Sequence, residues 1–188
     1  MYLKLLFSAR MNISRMRMFK IILERELPEL VIIIGIANFR HRIEALKEIS
    51  QFLMRRKIVS KDYLRALIER EERYPTGLRI SRDLAVALPH AHIRYTLKQA
   101  LMVALLEHPI EFKCMGSPDK TVMVQAIIIV AVKNLERSAK ILRRLGDLLS
   151  KETFSRAIWM KDSDYLLKLL TSLCSEDCQL KQSSFSES

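Results

Sequence analysis

The sequence is poor in the residues that staple or break a fold. Its three cysteines, Cys114, Cys174 and Cys178, are an odd number and too few for a disulfide framework. With no export signal in view, they point to a reducing compartment. Cys174 and Cys178 stand one helical turn apart with no histidine or third cysteine near, which reads as a helix face and tail rather than a zinc site. Four glycines and five prolines exclude a loop-rich or disordered chain. Apolar runs are short. Leu30–Ala37 and the more hydrophobic Thr121–Val132 (TVMVQAIIIVAV) both fall well below the roughly 20 residues a membrane-spanning helix needs. The apolar patch in Met1–Ala9 is bracketed by Lys4 and Arg10 and lacks the apolar length and small-residue cleavage site of a signal peptide. A Gly-rich phosphate loop, a metal-ligand cluster and a nucleophile elbow are all missing, which argues against a small-molecule enzyme of those kinds.

Negative charge is also in deficit. Lysine and arginine number 32 against 21 acids, a net charge of +11. Such a balance favours acidic partners, nucleic acid or anionic membrane. The cations are scattered along helices and the first twenty residues, however, as on a solvated basic surface. No recognition motif or interleaved aromatic array accompanies them, so a basic nucleic-acid-binding protein is only a remote alternative.

The chain length of 188 residues and an apolar share of 49% suit one well-packed domain. Residues 1–17 show no period and read as an N-terminal extension, either disordered or the product of an early start codon. Met18–Glu26 is the first element, and the β-branched run Leu30–Ala37 predicts a strand. Asn38 is placed to cap a helix reaching about Arg56, with Ile43, Leu46, Ile49, Phe52 and Leu53 as its apolar stripe. Ser60 is placed to cap a second helix with Tyr63, Leu64, Leu67 and Ile68 inside. Tyr74-Pro75-Thr76-Gly77 ends it, because Pro75 disfavours helix at Tyr74 and Gly77 permits a turn. Leu84–Leu88, Gln99–Leu106 and Thr121–Val132 predict strands. A helix over Leu135–Leu149 follows, then short helices over Lys151–Ile158 and Asp164–Leu173, the last capped by Ser163. Residues 174–188 read as a polar tail that frays. Apolar strands alternating with helices predict an α/β layered domain, a mixed sheet covered by helices on both faces.

Of the four histidines, His41 begins a helix as a surface residue or cap, and His108 precedes Pro109 in a loop between strands. His90 and His92 stand apart in Val86-Ala87-Leu88-Pro89-His90-Ala91-His92. An apolar strand ends at a proline that fixes its own φ and holds Leu88 extended, so His90 is presented rigidly at a strand end. From pattern alone His90 is as readily structural as functional. A His-x-His metal pair lacks a third ligand at a compelling spacing.

These residues, taken in order, resemble a known family. Leu67-Ile68-Glu69-Arg70-Glu71, Tyr74-Pro75-Thr76-Gly77, Ala87-Leu88-Pro89-His90, Pro109-Ile110-Glu111-Phe112 and Met115-Gly116-Ser117 precede the long apolar strand and a Leu-rich helix. The order is similar to that of enzyme IIA domains of the bacterial sugar phosphotransferase system, in the fructose–mannitol (type-2) superfamily. The Tyr-Pro-Thr-Gly-Leu and Phe-x-x-Met-Gly-Ser pieces are most like the galactitol-type branch. The resemblance spans Met18 to Leu173 and implies the enzyme IIA type-2 fold for residues 18–173. It implies that His90 is the phosphorylated histidine, as tele-phosphohistidine, and that Arg70 stabilises the phosphoryl charge. Without the resemblance, Arg70 reads as an exposed helix residue paired with a nearby Glu.

Thr76, His92, Tyr95 and Arg137 are the candidates for surrounding support. Galactitol-type members commonly read Pro-His-x-Asp-x-x-His; here His92 stands at the Asp and Tyr95 at the second His. Mannitol-type members carry a histidine early in the helix after the central strand, where this chain has Asn134-Leu135-Glu136-Arg137, with Arg137 a candidate cationic substitute.

The resemblance further implies a cytoplasmic phosphotransferase. HPr is the donor, a cysteine of an enzyme IIB partner is the acceptor, and a membrane enzyme IIC lies nearby, with no cofactor, metal or nucleic acid involved. The net charge of +11 is unexpected opposite the partly basic docking surface of HPr. A regulatory enzyme IIA-like protein phosphorylated on the same histidine is the main alternative.

Overall fold

The computed structural model describes residues 19–27 and 30–182; the expected extension over residues 1–17 lies outside them. Its architecture follows from strands that are apolar on both sides. In β2 (Leu30–Ala37), Val31 and Ile33 face one layer of helices while Ile32 and Ile34 face the other, and all four are buried. The same two-residue alternation runs through β5 (Ala100–Cys114), with Met102 opposite Leu101, and β6 (Ser117–Ala131), with Ile127 opposite Ile128. A strand buried on both faces reads as a continuous apolar run, which is why these segments have no polar period.

β1 (Phe19–Leu27) pairs antiparallel with β2, and β2 pairs parallel with β5 from Val31↔Ala100 to Ala37↔Leu106. β5 and β6 form a long antiparallel hairpin. Two three-residue strands complete the six-stranded mixed sheet. β4 (Ala85–Ala87) lies parallel to β6, and β3 (Gly77–Arg79) is antiparallel to β4 and touches the end of β5 at Gly77↔Cys114. α1 (Arg42–Arg55) and α2 (Tyr63–Arg73) cover one face through Leu46, Leu53 and Leu67. α3 (Leu135–Leu149), α4 (Glu152–Trp159) and α5 (Ser163–Gln182) cover the other through Leu145, Phe154 and Leu166. The expected α/β domain with helices on both faces is the one observed. Among the described residues no helix is long and apolar enough to cross a membrane.

Several local expectations are corrected. α1 is capped by His41, not Asn38: the His41 Nδ1 accepts from the Glu44 N–H at 3.2 Å. α2 starts after Asp62 rather than Ser60, whose side chain does not cap it; the Ser60 carbonyl accepts from the Tyr63 N–H. At α5 the cap belongs to Asp162, one residue before Ser163, with its Oδ1 accepting from the Tyr165 N–H at 3.0 Å. The helix continues past the expected end at Leu173 to Gln182.

His108 and Pro109 are not in a loop between strands. β5 runs through them, and only the register to β6 breaks, between Leu105 and Ile110. Proline has no N–H for the ladder, so pairing is interrupted while the strand continues. Cys114 closes β5, and Gly116 makes the following hairpin turn at φ 73°.

Gly77 is needed for space rather than for turn conformation. A Cβ there would stand 2.6 Å from the Lys113 carbonyl oxygen and 2.9 Å from Val122. Gly146, exposed on α3, has nothing within 4 Å of its own Cβ position. Gly77→Ala is expected to destabilise by about 1–3 kcal/mol through overpacking. Gly146→Ala should stabilise by about 0.5–1 kcal/mol through helix propensity. Urea melts of the two variants check both signs.

Candidate functional site

The C-terminal end of α2 and the C-terminal end of β4 converge. On α2, Tyr63, Leu67 and Glu71 recur at a spacing of four and all three are buried, so Glu71 points where a core residue would. Its carboxylate is 2% exposed and takes both polar hydrogens of Thr76. Oε1 accepts from the Thr76 N–H at 3.0 Å and Oε2 from the Thr76 hydroxyl at 2.7 Å. Burial raises the Glu71 pKa above the usual carboxylate range, against the lowering effect of the two Thr76 bonds and of Arg42. Beyond Pro75, which is buried, the Thr76 carbonyl accepts from the Leu88 N–H at 3.3 Å. The Leu88 carbonyl in turn lies 2.9 Å from His90 Nδ1.

Arg70, one residue before Glu71, completes the site. Its Nη2 lies 2.5 Å from His90 Nε2. These two contacts fix the state of the ring. A carbonyl can only accept, so Nδ1 carries the proton; a guanidinium can only donate, so Nε2 offers its lone pair. The His90 pKa falls below the ordinary imidazole value near 6.5. Burial of the ring is the largest cause, the Leu88 bond opposes it, and the Arg70 charge adds to the lowering. At neutral pH the ring is therefore uncharged, with one nucleophilic nitrogen pointing at a cation. Ala91, Ile93, Val130, Val132 and Leu142 share a shallow hollow with His90, so its walls are mainly apolar.

Arg70 forms no ion pair with a carboxylate among the described residues; its partners are His90 and the ring of Tyr74. The pairing with a nearby Glu that the sequence alone suggested is absent, since Glu71 is committed to Thr76 and Glu72 pairs with Arg42 and Lys113. Thr76 supports His90 through backbone, as described. His92 is exposed and its Nδ1 accepts from the Arg94 N–H at 3.2 Å, starting the 3₁₀ turn Ile93–Tyr95. The Tyr95 hydroxyl accepts from Arg94 at 2.7 Å, and Tyr95 packs on the core under α1 and α2. Neither His92 nor Tyr95 hydrogen-bonds His90. The side chain of Arg137 lies outside the described residues. Among those residues no cluster of His, Cys, Asp or Glu is arranged to hold a metal ion.

Comparison with known proteins assigns the family. The family model for the phosphoenolpyruvate-dependent sugar phosphotransferase system, EIIA 2, matches residues 28–173. The chain belongs to this family. Enzyme IIA components of this system are phosphotransferases that work through a phosphohistidine. The galactitol-specific EIIA component of Escherichia coli strain K12 is 28% identical over 108 residues, covering 57% of this chain and 71% of that protein. Two solved structures share the fold at lower identity. One is the mannitol enzyme IIA of E. coli in complex with phosphorylated mannitol enzyme IIB, with 22% identity, a TM-score of 0.55, and coverage of 72% of this chain and 94% of that one. The other is the nitrogen regulatory protein IIA-Ntr of Neisseria meningitidis, with 20% identity, a TM-score of 0.51, and coverage of 66% and 83%.

Glu71 and Tyr74 were not among the residues singled out from sequence, although both lie in motifs that were. The spacing Tyr63, Leu67, Glu71 signals an acid on a core face, and a buried acid is rare unless it is held.

Two measurements test the geometry of this candidate site in the enzyme IIA domain. Glu71→Ala leaves the Thr76 N–H and hydroxyl without an acceptor in a buried setting, so a urea melt should show a loss of about 2–4 kcal/mol. The His90 ring, followed by NMR, should titrate below 6.5. Because its folded pKa is depressed, the unfolded chain binds the proton first as pH falls. Stability is then lost from about pH 6.5 down to the folded midpoint. The stability difference between wild type and His90→Gln should shift against the wild type by that amount on acidification and level off below it.

Proposed function

We propose that this enzyme IIA accepts a phosphoryl group from phospho-HPr on Nε2 of His90 and passes it to a cysteine of an enzyme IIB partner. The observation that carries the reading is the pair of contacts on one ring: Leu88 holds the Nδ1–H, and Arg70 lies at the Nε2 lone pair. In the first step the Nε2 lone pair forms the new N–P bond. The donor's N–P bond breaks and its electron pair returns to the donor imidazole. The Nδ1–H stays on His90, and the Leu88 carbonyl offsets the positive charge the ring gains. In the second step a partner thiolate forms an S–P bond and the N–P pair returns to Nε2. The phosphoryl oxygens carry spread negative charge throughout, and a guanidinium with no carboxylate partner among the described residues can meet them with paired donors.

Support for a galactitol-like sugar comes from the 28% identical galactitol-specific relative and from Tyr74-Pro75-Thr76-Gly77-Leu78 in the same matched family segment. In this reading the protein works in the cytoplasm beside a membrane enzyme IIC. A regulatory role using the same phosphohistidine is favoured by one observation: His92 and Tyr95, which replace the usual Asp and second His, are both engaged elsewhere. The two roles separate on the second step, since a regulator needs no onward transfer.

Labelling by phosphorylated HPr tests the assignment. His90→Ala should take up no acid-labile phosphate, and label persisting on it would remove His90 from the role. Arg70→Ala should slow labelling about 10²-fold, corresponding to about 3 kcal/mol of barrier. Its melt should move by only about 1 kcal/mol, the worth of the lost contacts to Tyr74 and His90. Onward loss of label to a galactitol-type enzyme IIB supports transport, and retention supports regulation.

A further inference from the structure

Tyr74 is an aromatic side chain left 59% exposed at the junction of α2 and the Pro75 turn. Two separate contacts bind it to Arg70. The Tyr74 N–H donates to the Arg70 carbonyl at 2.7 Å, and the Arg70 guanidinium carbon stands 5.5 Å from the centroid of the Tyr74 ring. The backbone around Tyr74 is fixed from both sides. Pro75 keeps it out of the helical region, at φ −134° and ψ 80°, and Thr76 beyond is held by Glu71. The ring is thus aimed back along the helix end, over the guanidinium that meets His90.

Two other arginines are held differently, whereas Arg94 lies over the Tyr95 ring at 4.8 Å much as Arg70 lies over Tyr74. Arg42 pairs with Glu72, and Arg56 pairs with Glu24 besides lying over Phe52. A carboxylate holds a guanidinium by cancelling its charge. An aromatic face holds it by the ring quadrupole and leaves the charge whole. It also leaves the in-plane donors free to turn from one acceptor to another. For a group that must sit at Nε2 before transfer and at phosphoryl oxygens during it, the second kind of hold is the fitting one.

We propose that Tyr74 is a positioning residue for phosphoryl transfer, its ring face holding the Arg70 guanidinium beside His90 Nε2 without neutralising it. The inference rests on the reading of His90 and Arg70 as the phosphoryl site, and its test has one arm that needs no phosphorylation. In the unphosphorylated protein, Tyr74→Ala loosens Arg70, whose charge helps depress His90, so the NMR midpoint of His90 should rise toward the ordinary imidazole value. Tyr74→Phe keeps the ring face and should restore the wild-type midpoint. In the second arm, Tyr74→Ala should lower the labelling rate at saturating phospho-HPr by about two- to fivefold, the worth of an exposed cation–π contact. The KM and the thermal midpoint should be unmoved, and Tyr74→Phe should recover the rate. On an Arg70→Ala background, Tyr74→Ala should cost nothing more. A wild-type His90 midpoint in Tyr74→Ala would overturn the proposal. So would a loss confined to KM, which would make Tyr74 a contact for the donor protein, or a full loss on the Arg70→Ala background. If wild type takes no label at all, the phosphoryl reading fails, while the titration arm still decides whether Tyr74 governs Arg70.

Discussion

The buried carboxylate of Glu71 and its two hydrogen bonds to Thr76 are the constraint from which the site is built. An acid in the core must find partners, because leaving it without them costs far more than a surface acid does. Here both partners belong to one residue just after the helix, so the chain is forced to double back at Pro75. That reversal brings the Thr76 carbonyl to Leu88 and sets the register of β3 against β4. One interaction therefore fixes the helix end that carries Arg70 and the strand end that carries His90. The two groups come from segments twenty residues apart, yet their separation is governed by a single rigid corner.

The electrostatics of the corner depend on a division of labour among neighbouring residues. Glu71 faces the core, Glu72 is taken up by Arg42 and Lys113, and Arg70 keeps its charge. The net charge of +11 is spread over the surface and does not by itself mark this place. What marks it is a cation with no carboxylate partner among the described residues, next to an imidazole depressed by burial. Apolar walls from Val130 on β6, Val132 just beyond it and Leu142 on α3 lower the local dielectric and make each of those charges count for more.

The layers of the fold were legible because each strand that matters is buried on both faces and each covering helix has a stripe of one period. Leu30–Ala37 and Leu135–Leu149 coincide with their expected bounds. Caps were less legible, since Asn38 and His41, or Ser163 and Asp162, compete within one or two positions and the winner depends on where the chain enters the helix. The length of β5 was hidden by Pro109, which breaks a ladder locally without turning the strand. At the site, the Leu-Pro-His string exposed His90, and family likeness drew attention to Arg70. The roles of Glu71 and Tyr74 were concealed because a carboxylate beside arginines reads as a surface ion pair, and an aromatic before proline reads as turn punctuation. Only the three-dimensional return of the chain separates those readings.

The pairing pattern also sets how much chain each contact must close. The β5–β6 hairpin joins neighbours through the Met115–Gly116 turn, so its contacts close over short loops. The parallel partnership of β2 with β5 must wait for some seventy intervening residues to be brought round, an entropic delay that local hairpins escape. β3 and β4, three residues each, pair with each other over a short loop and lean on β5 and β6. The corner that joins Arg70 to His90 closes over only 20 residues, so in chain entropy it is cheaper to form than the parallel core of the sheet that supports it.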